Sequence, residues 1–439
     1  MIRRVLPAFI VLLLVGPAPS VAQARLTLAD AVARARARNV EARIAAVAEQ
    51  QAMARIEQAR AGYWPKVDFT ESWQRGDQPV FAFSSLLSQR RFAASNFDID
   101  RLNHPDPLNN FRSAITVEQL LFDGGAVRAG VHAATLGRDA ASLQRRQIDH
   151  DLAVAATEAF GQVLTLAASR RASQSAVEAA EEDLRRARAR REAGLVTDAD
   201  VLAIDVHLAR MREERIRAAA DEGVARTRLN QVLGASLDEA FELDPAPAVP
   251  DAALTQGDLE REAMAARPEI KLADVERELA LADLSAARAG FMPQVGVHGG
   301  WEWNGGTFDS QVSSWIVGAH VRLNLFNGLA NRARFVEAQR AAERRALETE
   351  KAETDVRLDV RNALARLEAA RAREAVGRAA LAQAQERQRI TRDRYEAGLV
   401  DVTALLTAAQ AVLEAESHET AARVDILVQA AALERALGR

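Results

Sequence analysis

Cysteine is absent from this chain. Its absence excludes disulfides, thiol catalysis, thiolate metal sites and a lipid attached to an N-terminal cysteine. Proline and glycine are scarce, at 12 and 23 of 439 residues, and aromatic side chains make up 5% of the chain. That composition favours long helices. The formal net charge is −4, and without a basic surplus we expect no nucleic-acid partner.

Sequence motifs that carry chemistry are missing as well. The chain has no phosphate-binding loop, dinucleotide glycine motif, G-x-S-x-G elbow or H-E-x-x-H pair. Its seven histidines are scattered, and its carboxylates lie in helical charge runs such as Glu181-Glu182-Asp183, which are typical of solvated faces. We therefore expect no catalytic residue, no cofactor and no metal, in a protein that is not an enzyme.

The N-terminus has the pattern of a secretory signal peptide. Arg3-Arg4 precedes an apolar run from Val5 to Val15, and Ala22-Gln23-Ala24 supplies a small-x-small cleavage site. The pattern predicts a signal peptide at 1–24 and export from the cytoplasm. We expect no other stretch to reach the ~18 apolar residues of a membrane helix.

The rest of the chain contains an internal repeat. The pentapeptide EAGLV occurs at 192–196 and again, 204 residues later, at 396–400. The segment 117–128 (VEQLLFDGGAVR) aligns with 321–332 (VRLNLFNGLANR) at the same offset. An internal repeat of this length dictates the architecture. It predicts one repeat at 25–243, a proline-rich linker at 244–254 and a second repeat at 255–439. Residues 27–60 are helical in composition, and Pro268 is expected to kink or break the first helix of the second repeat.

Each repeat contains one segment that differs from the helical remainder. The segments 63–122 and 291–326 hold all five tryptophans and ten of the fourteen phenylalanines. Apolar and polar residues alternate within them, most clearly from Val295 to Asn304, which predicts one β-hairpin per repeat. Strands of about 10 residues with aromatic ends suit the ~25 Å apolar band of an outer-membrane barrel. A soluble sheet edge packed on the helices is the alternative.

Four strands cannot close into a barrel, and an open sheet edge is not tolerated in lipid. If the strands enter a membrane, several chains must therefore share the barrel.

After each hairpin comes a helical run of roughly 65–70 residues, then a turn near Gly194 or Gly398 and a returning helix. The returning helix carries an apolar seam with 3-4-3 spacing at Val201, Ile204, Leu208 and Met211, repeated at Leu405, Ala408, Val412 and Ala415. Such narrow seams favour a single-walled tube of helices that is wet on both sides. A solvated two-stranded coiled coil is the alternative.

Several motifs in this order resemble the TolC-type outer-membrane efflux proteins: a G-[FY]-x-P strand start, a strand ending in L-F-[DN]-G, and paired [RY]-E-A-G-L-V turns. The resemblance implies a mixed, mainly α fold in which long coiled-coil hairpins form a trimeric α-barrel. It also implies that four antiparallel strands per chain join a shared 12-stranded transmembrane β-barrel. The implied partners are two further copies of the chain, a periplasmic adaptor protein, an inner-membrane pump driven by protons or ATP, and outer-membrane lipid.

In that family the hairpin turns face the adaptor and close the tunnel. Carried onto this chain, the adaptor-docking positions are Gly194, Leu195, Val196 and Thr197, and Gly398, Leu399, Val400 and Asp401. The gate candidates are Asp200 and Tyr395. Two acidic gate positions of the family read Ala404 and Thr407 here, so that part of the comparison fails. The structural alternatives are that these residues only make the turns, and that the aspartates only stabilise helix starts.

These observations predict a passive exit duct of a tripartite efflux pump or type I secretion system. We expect it in the outer membrane of a Gram-negative bacterium, extending into the periplasm without a lipid anchor. A secreted helical scaffold or adhesin, which binds protein partners and forms no channel, is the alternative.

Overall fold

The computed structural model describes residues 25–244 and 255–439. The predicted signal peptide and nearly all of the predicted linker lie outside these described residues. The described chain is mainly helical, as the sequence predicts, with one four-stranded antiparallel sheet.

The helices and strands follow one another in an order that repeats. The ten helices of the described chain are α1 (Leu28–Arg38), α2 (Val40–Arg60), α3 (Pro79–Ser88), α4 (Ile99–Asn103), α5 (Ala126–Glu192), α6 (Asp198–Leu233), α7 (Gln256–Ala266), α8 (Pro268–Ala289), α9 (Ala330–Glu396) and α10 (Val402–Leu437). The six strands in the same part of the chain are β1 (Arg25–Leu26), β2 (Lys66–Gly76), β3 (Leu108–Phe122), β4 (Glu242–Leu243), β5 (Gln294–Gly305) and β6 (Val312–Arg322).

The repeat extends to the ends of the long helices. Helices α5 and α9 each have 67 residues, α6 and α10 each have 36, and the bounds of each pair differ by 204. We refer to α5–α6 as the first hairpin and to α9–α10 as the second. The first helices also match, because Thr27 and Thr255 cap α1 and α7 through the same hydrogen bond, from the backbone N–H three residues on.

The opening helix of each repeat is broken. Pro268 ends α7 at Arg267, as predicted. The first repeat was predicted to be helical over 27–60, and it breaks at Asn39 without any proline. The backbone of Asn39 is not helical. Its side chain donates a hydrogen bond to the backbone oxygen of Val232, 2.8 Å away. The opening helix thus breaks at a tertiary hydrogen bond in the first repeat and at a proline in the second.

The described residues form two compact units, and each combines parts of both repeats. The helical unit comprises 25–39, 152–244 and 369–431, and the sheet unit comprises 40–151, 255–368 and 432–439. In the helical unit, one apolar core is built around Leu26, Phe160 and Leu229. A two-residue parallel pair, β1 with β4, closes over that core. The sequence did not predict this pair, because two residues carry no periodicity.

One membrane-helix prediction was wrong. Helix α5 contains an 18-residue window of mean hydropathy 1.3 with at most two charged residues, which is long and apolar enough to cross a membrane. The stretch from Leu152 to Ser169 carries Glu158 as its one charged residue. Part of this stretch packs into the core of the helical unit, through Ala156, Phe160 and Val163.

In the sheet unit, the four long strands lie in the order β2-β3-β5-β6. All three pairings are antiparallel, and the β3–β5 pairing joins the hairpin of one repeat to that of the other. Strands β2 and β6 are each paired on one side only. The sheet is therefore open at both edges within the described chain.

The register gives the sheet one apolar and one polar face. The apolar face carries the odd-numbered residues, among them Val67, Phe69, Val117, Trp301, Trp315, Val317 and Val321. The polar face carries the even-numbered residues, among them Lys66, Asp68, Arg112, Glu118, His298, Glu302 and His320. The apolar face is exposed, with Trp315 at 69% and Val321 at 71%. A sheet packed on the chain's own helices would have covered these side chains.

Candidate functional site at the hairpin turns

Both hairpins turn through the same backbone motif. In the first, the N–H of Leu195 donates to the oxygen of Arg190 and the N–H of Gly194 donates to the oxygen of Arg191, both at 2.9 Å. Gly194 has φ +74°, a left-handed conformation in which a Cβ is costly. The second hairpin repeats both hydrogen bonds and the φ angle at Gly398. The repeated pentapeptide is thus a helix-ending signal.

The first residues of the returning helices are capped by side chains. Thr197 and Asp200 exchange hydrogen bonds between side chain and backbone, a capping box in which the Thr197 N–H donates to Asp200 at 2.9 Å. Hydrogen bonds from the Thr197 backbone and then from its hydroxyl lower the pKa of Asp200. In the second turn, the carboxylate of Asp401 accepts from the N–H of Ala404 at 2.9 Å. The geometry thus gives both aspartates a structural role at a helix start.

The turns present apolar side chains to solvent. Leu195 is 67% exposed and Leu399 is 69% exposed, while Val196 and Val400 are half-buried. Each turn thus presents the same leucine and valine, in the same order. We call the four residues the tip surface.

Close to the turns, basic side chains of α5 contact the end of α9. The Arg190 guanidinium lies over the Tyr395 ring, 5.4 Å from its centroid, and donates to the backbone oxygen of Glu396 at 3.3 Å. Arg186 lies 3.6 Å from the Glu396 carboxylate. Burial raises the pKa of Tyr395, and the neighbouring Arg190 opposes that shift. Cation, ring and carboxylate together join the two hairpins at this level.

An apolar cluster lies beneath this contact and brings both hairpins together. Ile204, Leu208 and Met211 of the predicted first seam are buried in it, and Val402, Leu406 and Leu413 of the second hairpin pack against or within it. The first seam is therefore confirmed. In the second, Leu405 and Ala408 are buried, while Val412 and Ala415 are half-buried.

A cavity of about 310 Å³ lies next to this contact, lined by Asp183, Arg190, Ile204, Tyr395 and others. Burial raises the pKa of Asp183, although Arg392, Arg186 and His207 oppose the shift. Burial also lowers the pKa of His207, as does the charge of Arg210. Polar groups are thus desolvated between the hairpins. Among the described residues, no group of three or more His, Asp or Glu side chains could hold a metal ion.

The structure places the predicted tip residues on two separate turns and brings one gate candidate, Tyr395, into the contact between the hairpins. The sequence analysis missed Arg190, Arg186 and His207. It assigned Asp183 to a solvated face, which is wrong because this carboxyl is desolvated between the hairpins. One signal was available for three of these residues, because the repeat fails there: Asp183 aligns with Arg387, His207 with Ala411 and Arg186 with Ile390. Arg190 gives no such signal, since its repeat equivalent is also an arginine, Arg394. Ala404 and Thr407 add no carboxylate near the turns.

Comparison with known proteins agrees with this fold. The family model described as outer membrane efflux protein matches residues 21–235 and 259–439. Protein CyaE of Bordetella pertussis is 30% identical over 344 residues, which cover 76% of this chain and 72% of that protein.

Solved structures share the fold at lower identity. A membrane protein from Pseudomonas aeruginosa has a TM-score of 0.78 at 20% identity, covering 94% of this chain and 90% of that one. The CmeC outer membrane channel of Campylobacter jejuni has a TM-score of 0.77 at 17% identity, covering 94% and 85%. The family match spans nearly the whole described chain, so this protein belongs to the outer membrane efflux protein family.

Proposed function

We propose that the protein is a passive exit duct in the outer membrane of a Gram-negative bacterium, serving a tripartite efflux pump or a type I secretion system. One observation carries the proposal: an open four-stranded sheet exposes an apolar face on one side and a polar face on the other. Lipid is the solvent that favours such an apolar face, and the polar face suits a water-filled interior.

The free edges of the sheet support a shared barrel. Strands β2 and β6 present unpaired backbone groups, each of which costs several kcal/mol in hydrocarbon. Pairing β6 of one chain with β2 of the next satisfies both edges at once. Three chains then supply twelve strands, and a homotrimer is the assembly that we propose.

A corresponding argument applies to the helical unit. Leu406 of α10 packs against the apolar cluster of the first hairpin. Its repeat equivalent, Leu202 of α6, is 63% exposed, and Val206 one turn later is equally exposed. The contact that the second hairpin makes within the chain is therefore missing on the first. A neighbouring copy can complete it, which supports a closed ring of hairpins reaching into the periplasm.

The hairpin turns are proposed as the periplasmic end of the duct. The tip surface, with Gly194, Thr197, Gly398 and Asp401 around it, offers an apolar site for a periplasmic adaptor protein. The contact between Arg190 and Tyr395 would keep the turns together until the adaptor and an inner-membrane pump engage. Asp200 remains a gate candidate beside its capping role. The chain has no nucleotide-binding motif, so energy must come from a proton-driven or ATP-driven pump.

A secreted scaffold that binds proteins without forming a channel is the second candidate, favoured only by the exposed leucines of the turns. Membrane fractionation and native mass spectrometry in detergent separate the two. The duct predicts an outer-membrane protein of three chains whose migration on gels changes with heating. Recovery as a soluble periplasmic monomer would overturn the duct.

A further inference from the structure

The loop between β2 and β3, residues 77–107, has a folded structure of its own. We call it the outer loop. The corresponding connection of the second repeat, between β5 and β6, has only 306–311. The outer loop contains α3 and α4 and a small aromatic core, in which the Phe92 ring makes edge contacts with Phe83 at 4.8 Å and Phe97 at 5.1 Å. Nothing in a strand connection requires so much structure.

A buried chain of amides fixes the end of α3 to the sheet. The Gln89 side chain donates to the backbone oxygen of Asn109 at 2.7 Å and to the side chain of Asn110 at 3.0 Å. Asn110 in turn donates to Asn304 at 3.0 Å. All three side chains are at least nine-tenths buried. Since Asn110 and Asn304 are even-numbered, Gln89 reaches the sheet from its polar face.

Other contacts extend this attachment across the sheet. A Cβ built on Gly76 of β2 would point to the polar face and meet the Phe81 ring at 3.6 Å. A Cβ on Gly306, just after β5, would lie 2.7 Å from the Arg91 guanidinium. Arg90 donates to the backbone oxygen of Ser313 in β6 at 3.0 Å. The outer loop therefore lies over the polar face and contacts all four long strands or their immediate ends.

Helix α3 turns an apolar stripe away from the sheet. Its buried residues Ala82 and Ser85 face the strands together with Gln89. On the opposite side, Val80 is 82% exposed and Leu87, at position i+7, is also exposed. Phe83 lies between them at position i+3 and keeps part of its ring exposed beside its contact with Phe92. A stripe of this kind loses much of the hydrophobic contribution of its side chains unless another surface covers it.

We infer that the apolar stripes of α3 from three copies of the chain meet on the axis of the barrel and form an apolar constriction at its outer mouth. This inference rests on the shared barrel of the proposed function. Twelve strands about 4.8 Å apart and tilted by about 40° make a wall with a radius of about 12 Å. A helix with its side chains is about 10–12 Å across. A helix lying on the inner, polar face therefore reaches the axis, where two identical helices meet it.

The consequence is a barrel with an apolar element at its outer mouth. Narrow apolar constrictions exclude water and ions without a moving gate. Free ions cross a dry constriction at a high cost. The constriction would limit leakage of ions through the outer membrane while substrate is absent.

Single cysteines test this inference, because the native chain has none. Val80→Cys is compared with Ile99→Cys, which lies in the same loop, outside the stripe, and is 76% exposed. Both proteins are purified in detergent, and native mass spectrometry determines how many chains each assembly contains. They are then treated with copper-phenanthroline and run on denaturing gels. In parallel, the rate of reaction with a charged maleimide is measured.

We expect disulfide-linked dimers from Val80→Cys, with one chain of each trimer left over, and few or none from Ile99→Cys. We also expect Val80→Cys to react about ten-fold more slowly with the charged reagent, since an apolar cluster excludes it. Two results obtained with intact trimers would overturn the constriction alone. In the first, the two variants cross-link to the same extent. In the second, Val80→Cys forms no disulfide-linked dimer and reacts with the maleimide as fast as Ile99→Cys. Monomers in the native spectrum would overturn both the constriction and the proposed duct.

Discussion

The Arg190 guanidinium lies 5.4 Å from the centroid of the Tyr395 ring and connects α5 of the first repeat to α9 of the second. It also donates to the backbone oxygen of Glu396, the last residue of α9. One side chain thus provides two contacts between the hairpins, within one turn of the residues that reverse them. Its loss should loosen the turns without disturbing the sheet unit.

For Arg190→Ala we expect a higher single-channel conductance in planar lipid bilayers, because the hairpins lose a cation–π contact and a hydrogen bond that together contribute about 1–2.5 kcal/mol. The control is Arg394→Ala, which removes the repeat equivalent of Arg190 from the exposed surface of α9. Equal conductance of the two variants would mean that this contact does not hold the turns together.

Tyr395→Phe should behave differently from Arg190→Ala. Among the described residues the Tyr395 hydroxyl is buried without a hydrogen-bond partner, so its removal leaves no group unsatisfied and keeps the ring beneath Arg190. We expect conductance and thermal stability to stay close to wild type, the latter within about 0.5 kcal/mol. Tyr395→Ala, which removes the ring, should reproduce the effect of Arg190→Ala. A large effect of Tyr395→Phe would assign the gate to the hydroxyl.

The tip surface predicts a loss of export without a loss of assembly. Leu195→Asp combined with Leu399→Asp places a charge on each turn where an adaptor is proposed to bind. We expect export to be abolished while native mass spectrometry still shows trimers. Leu195→Met with Leu399→Met keeps the apolar character and should export normally. Normal export by the double aspartate variant would remove the docking proposal.

An arginine placed on the apolar face of the sheet should reduce the yield of trimers, whereas one on the polar face should not. Val317 lies on the apolar face and His320 on the polar face of β6. Val317→Arg should cost about 2–4 kcal/mol at the centre of the membrane and reduce the yield of heat-modifiable trimers. His320→Arg should leave the yield unchanged, because its side chain faces water. Equal yields would contradict the assignment of the faces.

The desolvated His207 predicts a pH dependence of stability. Because burial lowers its pKa in the folded protein, the unfolded chain binds more protons below the ordinary histidine pKa of about 6.5. Stability should therefore fall as the pH drops from 6.5 through the lowered pKa. The raised pKa of Asp183 acts in the opposite direction at lower pH, where stability falls as the pH rises above 3.8.

His207→Gln isolates the first of these effects. Thermal midpoints of the detergent-solubilised variant and wild type are compared between about pH 5 and 8, a window that contains the ordinary histidine pKa of about 6.5. We expect the wild type to lose stability on acidification more steeply than the variant. Parallel curves would show that His207 does not contribute to the pH dependence.

By itself, the sequence determined the elements that depend on local periodicity and on repetition. Alternation from Val295 to Asn304 predicted β5, Pro268 predicted the break between α7 and α8, and the 3-4-3 seam predicted the buried side of α6. Repeated glycines predicted both turns, because only a left-handed residue ends a helix through this motif. These features have causes within a few residues of the chain.

Only the tertiary structure decided which distant residues meet. Asn39, at which the opening helix of the first repeat breaks, donates a hydrogen bond to a backbone oxygen 193 residues away. Arg190 of the first repeat contacts Tyr395 of the second, and Gln89 attaches the outer loop to the sheet. Such contacts depend on desolvation and on the arrangement of packed elements, neither of which leaves a periodic pattern in the chain. Repetition does not predict these contacts either, because Arg190 is identical to its repeat equivalent Arg394, whereas its partner Tyr395 aligns with Arg191.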